Sequence, residues 1–148
     1  MMCRYKRRAT AVREQHPHYQ RPRLRTKLTA AADVYSHLTE YNELEREHFV
    51  AVTLDGASRV LNTRVISIGT LNQSLVHPRE VFRPAIQDNA AGIIVAHNHP
   101  SGQLNPSTED RRVTKRLKEV GKLIGIELVD HLILTSRSYY SFNEEGEL

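Results

Sequence analysis

Gly92-Ile93-Ile94-Val95-Ala96-His97-Asn98-His99-Pro100-Ser101-Gly102-Gln103-Leu104-Asn105-Pro106-Ser107-Thr108-Glu109-Asp110 reads as a strand, a turn and the start of a helix. The apolar, β-rich run delivers two histidines at its end. Strand side chains alternate faces, so His97 and His99 point to the same side. Pro100, Gly102 and Pro106 break regular structure and turn the chain back. Asp110, in the first turn of the following helix, is then able to face the imidazoles. Two imidazoles and one carboxylate make three protein ligands, a number that suits a catalytic zinc ion with its fourth tetrahedral position open for water.

With eight His and five Asp scattered over 148 residues, H-x-H followed by ten residues and Asp arises by chance in roughly one chain in a hundred. The strand before it, the Pro/Gly turn and Ser107 make chance less adequate still. A purely structural alternative treats the histidines as loop-facing polar residues and Ser107 as an N-cap with Asp110 three residues on, a capping-box variant. Cap and metal site are compatible, because a carboxylate in the first helical turn is favoured by the helix dipole in either case.

The spacing His97-x-His99-(ten residues)-Asp110, with Ser107 three before the Asp, resembles the metal-binding motif of the JAMM metalloprotease domain, also called JAB or MPN. The His-Asn-His-Pro-Ser-Gly form, followed later by Asp130-His131-Leu132-Ile133, is similar to the RadC branch of that family, and the likeness runs from about Leu28 to the C-terminus. The resemblance implies an α/β fold, a mixed sheet between helices like that of cytidine deaminases. It also implies zinc-dependent hydrolysis of amide, often isopeptide, bonds. Glu47, in Glu-x-Phe before an apolar run, is similar in position to the family's catalytic glutamate. It would take a proton from water and deliver it to the leaving amine. Ser107 would hydrogen-bond the tetrahedral oxyanion. Read without the family, Glu47 is equally well a solvated charge at a strand entry beside Glu43 and Glu45.

Length points to one domain with a sizeable core. No apolar run reaches the ~20 residues of a membrane span and no signal-peptide core follows the basic start, so the expectation is a soluble, cytoplasmic protein. The single cysteine, Cys3, supplies neither an internal disulfide nor a thiolate metal site. The net charge of +4 is uneven: Met1 to Lys27 carries nine Lys/Arg against Glu14 alone, whereas the rest is mildly acidic. Residues 1–27 therefore read as a basic, disordered tail before a domain over 28–148. Such a tail suits nucleic-acid phosphates or is simply solvated. Complete RadC-like proteins carry a helical DNA-binding-like module ahead of the JAB domain, and about 27 residues are too few for it.

From Leu28 to Tyr41 the apolar positions Ala31, Val34, Tyr35, Leu38 and Tyr41 recur at helical spacing, with Thr29 available as N-cap. A strand from Glu45 to Leu54, buried on both faces, follows, then a hairpin turn at Asp55-Gly56 and a return strand from Arg59 to Thr70. Val76 to Ala85 reads as a helix entry with Pro78 in its first turn. Pro84 is hard to accommodate there, so the helix either starts nearer Val81 or is kinked. Glu80, the rival to Glu47 as proton carrier, reads more readily as a helix-start acid, and Arg79 either orients a substrate acid or, the preferred reading, pairs with a neighbouring carboxylate. After Ser107, Val113, Leu117, Val120 and Leu123 mark an amphipathic helix with a basic outer face, and Gly121 and Gly125 mark its exit. Ile126 to Leu134 is a strand, and Tyr139 to Phe142 a short edge strand. Asp130 and His131 read either as a pair orienting a ligand or as a core pair satisfying each other.

These readings lead to a zinc hydrolase acting on a peptide or protein substrate. The alternative is a DNA-associated accessory protein, in keeping with the repair role traditionally attached to the RadC name, whose basic tail binds nucleic acid and whose metal site is structural or idle. A non-haem iron site suits two His and one carboxylate but not this alternation of strands and helices. A cytidine deaminase needs a Cys pair, and an HNH nuclease needs a ββα unit.

Overall fold

A computed structural model describes residues 25–69 and 76–148. The basic stretch up to Leu24, with Cys3, His16 and His18, and the expected strand end at Thr70 lie outside the described residues.

Five strands make one mixed sheet in the order β2-β1-β3-β4-β5. They are β1 (His48–Leu54), β2 (Val60–Ile68), β3 (Gly92–Asn98), β4 (Glu127–Leu134) and β5 (Tyr139–Ser141). β1 pairs antiparallel with β2 and β3, β3 runs parallel to β4, and β5 returns antiparallel on β4. β1 and β3 are buried almost throughout because both sheet faces are covered. On one face, Phe49, Ala51, Ile93 and Val95 meet α2 (Pro78–Gln87) and α3 (Thr108–Ile124). On the other, Val50, Val52, Ile94 and Ala96 meet α1 (Ala31–His37). The alternation of strand side chains thus builds two cores, and the protein has the three-layer α/β architecture expected. No helix of the described residues is long and apolar enough to cross a membrane.

Several local expectations are corrected. The first helix does not run from Leu28 to Tyr41: Ala30 is extended and α1 ends at His37, followed by a 3-10 turn over Thr39–Tyr41. Thr29 does not act as the cap, because its hydroxyl and N–H both donate to Asp33 Oδ2 at 2.8 Å. The Asp55-Gly56 turn is longer than a two-residue hairpin. Asp55 Oδ1 accepts from the N–H groups of Ala57 and Arg59, and the left-handed residue is Ser58. Helix α2 starts at Pro78 and still contains Pro84, whose buried ring packs inward. Gly121 is not at the exit of α3 but inside its last turns, and Gly125, left-handed with φ 74°, is the C-cap. The expected pairing of Arg79 with a neighbouring carboxylate is present, Nε lying 3.2 Å from Glu80 Oε1.

Candidate metal centre

Parallel pairing with β4 and antiparallel pairing with β1 hold the last residues of β3 rigidly, with His97 opposite Phe49 on one side and Ile133 on the other. His97 is fully buried and His99, one residue past the strand, is partly exposed. The expectation that they share a face is met: their Nε2 atoms lie 2.9 Å apart. Helix α3 begins with Ser107 as N-cap, whose hydroxyl accepts from the Asp110 N–H at 3.1 Å. The Asp110 carboxylate bends back in return, and its Oδ2 accepts the Ser107 N–H at 2.7 Å and the Ser107 hydroxyl at 2.6 Å. This capping box aims Asp110 at the imidazoles. Its Oδ1 lies 3.2 Å from His97 Nε2, and its Oδ2 lies 3.8 Å from His99 Nε2.

The donor set fits a metal ion. A tetrahedral zinc with bonds of about 2.0–2.1 Å spaces its ligand atoms about 3.3 Å apart, and the 2.9 Å between the two Nε2 atoms and the 3.2 Å from His97 Nε2 to Asp110 Oδ1 lie near that value. Asp110 Oδ1 is buried and accepts no hydrogen bond, an arrangement that is costly for a carboxylate oxygen unless a cation is near. His99 Nδ1 lies 2.7 Å from the Gln103 carbonyl. A carbonyl only accepts, so the proton is on Nδ1 and the Nε2 lone pair faces the centre. Glu47, just before β1, offers a carboxylate oxygen that lies with the ligand atoms of His97 and His99 inside a span of 4.8 Å.

Electrostatics favour the ligating protonation states. Burial pushes the His97 pKa below the ordinary histidine value, against the opposing pull of Asp110, so the imidazole is neutral. Burial tends to raise Asp110, but the Ser107 hydroxyl and N–H donate to its carboxylate and favour the ionised form, and the carboxyl is held below the usual range. The centre opens on a cavity of about 430 Å³ lined by Glu47, His99, Pro100, Ser101, Gln103, Asn105, Ser107 and Asp110.

The family model for the RadC-like JAB domain matches residues 28–147. The chain belongs to the RadC-like JAB domain family. Among curated relatives, a UPF0758 protein of Thermotoga maritima is 47% identical over 131 residues, covering 88% of this chain and 59% of the relative. A UPF0758 protein of Rubrobacter xylanophilus is 54% identical over 105 residues, covering 71% of this chain and 46% of the relative. The chain thus spans about half the length of the curated relatives it matches.

Within this RadC-like JAB domain the structure brings together His97, His99, Asp110, Glu47 and Ser107. It adds Asn98 and Thr114, to which the sequence assigned no role, and of the expected Asp130-His131 pair it brings His131 alone to the centre. Asn98, between the histidines and fully buried, accepts the His48 N–H at 2.7 Å and donates to the carbonyls of Leu44 and Arg46, both at 3.0 Å. It therefore holds the backbone on both sides of Glu47. His131, also fully buried, places Nε2 2.9 Å from His97 Nδ1 and Nδ1 2.6 Å from the Thr114 hydroxyl. Asp130 does not pair with the His131 imidazole. Its carboxylate takes the His131 N–H, the Ser141 hydroxyl and the Asn143 N–H, while burial pushes its pKa up.

Proposed function

We propose that this domain is a zinc-dependent hydrolase of an amide bond, peptide or isopeptide, in a protein or peptide substrate. The observation that carries the reading is the convergence of His97 Nε2, His99 Nε2 and a buried Asp110 oxygen at the floor of an open cavity with a second carboxylate, Glu47, on its wall. His97, His99 and Asp110 would hold the ion, which when bound polarises a carbonyl and acidifies water. Glu47 then serves as the proton carrier. It is partly buried yet open to the cavity, so it takes a proton from the attacking water and passes it to the departing amine nitrogen. The Ser107 hydroxyl, lining the same cavity, is placed to turn from Asp110 toward the oxygen on which charge develops.

Metal content and peptide cleavage, measured together, test this. About one zinc per chain is expected in the wild type, with both metal and activity lost in His97→Ala and Asp110→Ala. Glu47→Gln should keep the metal and lose roughly 10²–10⁴ in rate. A folded wild type that takes up no zinc when it is supplied would falsify the hydrolase reading.

A further inference from the structure

We propose that Thr114 and His131 are positioning residues that fix the tautomer of His97, presenting its Nε2 lone pair to the centre shared with His99 and Asp110. The inference rests on the metal-centre reading for its purpose, but the proton placement follows from the hydrogen bonds alone.

The Thr114 hydroxyl lies 2.6 Å from the main-chain carbonyl of Asp110, one helical turn back. A carbonyl has no proton to give, so the single hydroxyl proton of Thr114 is donated there. Toward His131 Nδ1, also 2.6 Å away, the hydroxyl is then only an acceptor. His131 Nδ1 must carry a proton. The His131 imidazole is fully buried between the Thr114 hydroxyl and His97, where an uncompensated charge is costly, so its single proton is the one on Nδ1 and Nε2 is a lone pair. Across the 2.9 Å contact to His97 Nδ1, the proton therefore belongs to His97 Nδ1. What remains on His97 is a bare Nε2, facing the bare Nε2 of His99 and the acceptor oxygen of Asp110. Three lone-pair atoms meet with no proton between them, the state a cation requires and the worst one for an empty core.

The rings have little freedom to escape this assignment. Phe49 lies parallel to His97 at 6.0 Å between centroids, and Phe142 is stacked on His131 at 4.8 Å. Thr114, His131 and His97 are buried to 2% exposure or less, so water does not substitute in the contacts that join them. One turn of α3 thus supplies both a ligand, the Asp110 carboxylate, and the acceptor that orders the proton on another ligand, His97.

The test uses the full chain, labelled with nitrogen-15, in long-range proton–nitrogen spectra of the imidazoles before and after zinc is added. His97 protonated on Nδ1 and bare at Nε2 is expected in the metal-free wild type; the opposite tautomer overturns the proposal without any variant. Thr114→Val keeps shape but removes the acceptor. It should move the His97 proton toward Nε2 and weaken zinc binding about 10- to 100-fold, and Thr114→Ser should restore both. A folded Thr114→Val protein with an unchanged His97 spectrum and zinc affinity overturns it as well. If the wild-type spectrum is as expected but zinc does not bind, the metal reading fails and the tautomer assignment stands.

Discussion

The side-chain carbonyl of Asn98 accepts the main-chain N–H of His48 at 2.7 Å, fifty residues away in sequence. The same amide donates to Leu44 and Arg46, so the segment that carries Glu47 is tied to the strand that carries the histidines. Because β3 side chains alternate, His97 faces the centre and Asn98 faces away from it, fixing the geometry from behind. Asn98→Ala should therefore separate metal binding from catalysis. Zinc affinity should stay within a few-fold of the wild type while kcat falls about 10²-fold, the cost of misplacing a proton carrier by an ångström. Equal losses in zinc affinity and kcat would show that Asn98 supports β3 as a whole rather than Glu47.

Acid sensitivity follows from the buried imidazoles. Burial lowers the pKa of both His97 and His131 below the ordinary 6.5. The unfolded chain therefore binds protons near pH 6.5 that the folded protein refuses, and stability falls as pH drops below that value. The slope approaches about 1.4 kcal/mol per pH unit for each imidazole. Asp110 acts separately: its folded pKa is depressed, so its contribution is present above about pH 3.8 and is lost only as pH falls further. Denaturant titrations of the metal-free protein between pH 7 and 5 check this. His131→Asn should roughly halve the slope, and a flat profile through this window would contradict neutral buried histidines.

Much of the centre was legible because it is local. A two-residue strand period puts His97 beside His99, and the Ser107–Asp110 capping box aims the carboxylate, so short-range rules suffice. The partners from other strands were not legible in the same way. Pairing between β3 and β4 steps from Ile93↔Leu128 to Ile94↔Asp130, skipping Val129. That irregularity brings His131 opposite Val95 and onto the His97 face, where strict alternation from Leu128 would have pointed it the other way. Thr114 is one residue of an amphipathic helix to which the sequence assigns no role, and nothing in its spacing marks it as the neighbour of a histidine on a later strand. Pro84 misled for a different reason: it lies buried inside α2, and the burial of its ring offsets the missing helical hydrogen bond.

Ser107 caps α3, and the proposed function gives it a second, separable role. As a cap it accepts from Asp110 N–H and donates to Asp110 Oδ2, so Ser107→Ala should cost about 1 kcal/mol of stability. It should also loosen zinc, since Asp110 loses a hydrogen bond that orients it. The proposed contact to the oxyanion predicts more: at saturating zinc, kcat should fall a further 10²- to 10³-fold or so. Unchanged kcat under those conditions would leave Ser107 as a cap alone.

Gly121 is where α3 and β4 approach too closely for a side chain. An added Cβ would sit 2.5 Å from the Ile126 carbonyl oxygen and 3.3 Å from Phe82 Cζ. The same junction is closed by the Ile126 N–H donating to the Gly121 carbonyl at 3.0 Å. Backbone, unlike a flexible side-chain end, cannot yield cheaply. Gly121→Ala should thus destabilise by about 1–3 kcal/mol, even though alanine favours a helix interior over glycine by about 1 kcal/mol. Gly125→Ala isolates the other kind of strain. It has open space but a φ of 74°, so its cost, about 1–2 kcal/mol, is conformational alone. The two substitutions should differ at the metal. α3 carries Ser107, Asp110 and Thr114, so pushing its end away from β4 at Gly121 shifts Asp110 and Thr114 relative to His131 and weakens zinc binding. Gly125→Ala, outside that contact, should lower stability with zinc affinity unchanged. Equal zinc affinity in both variants would show that α3 gives at its C-terminal end without moving the turn that carries Asp110.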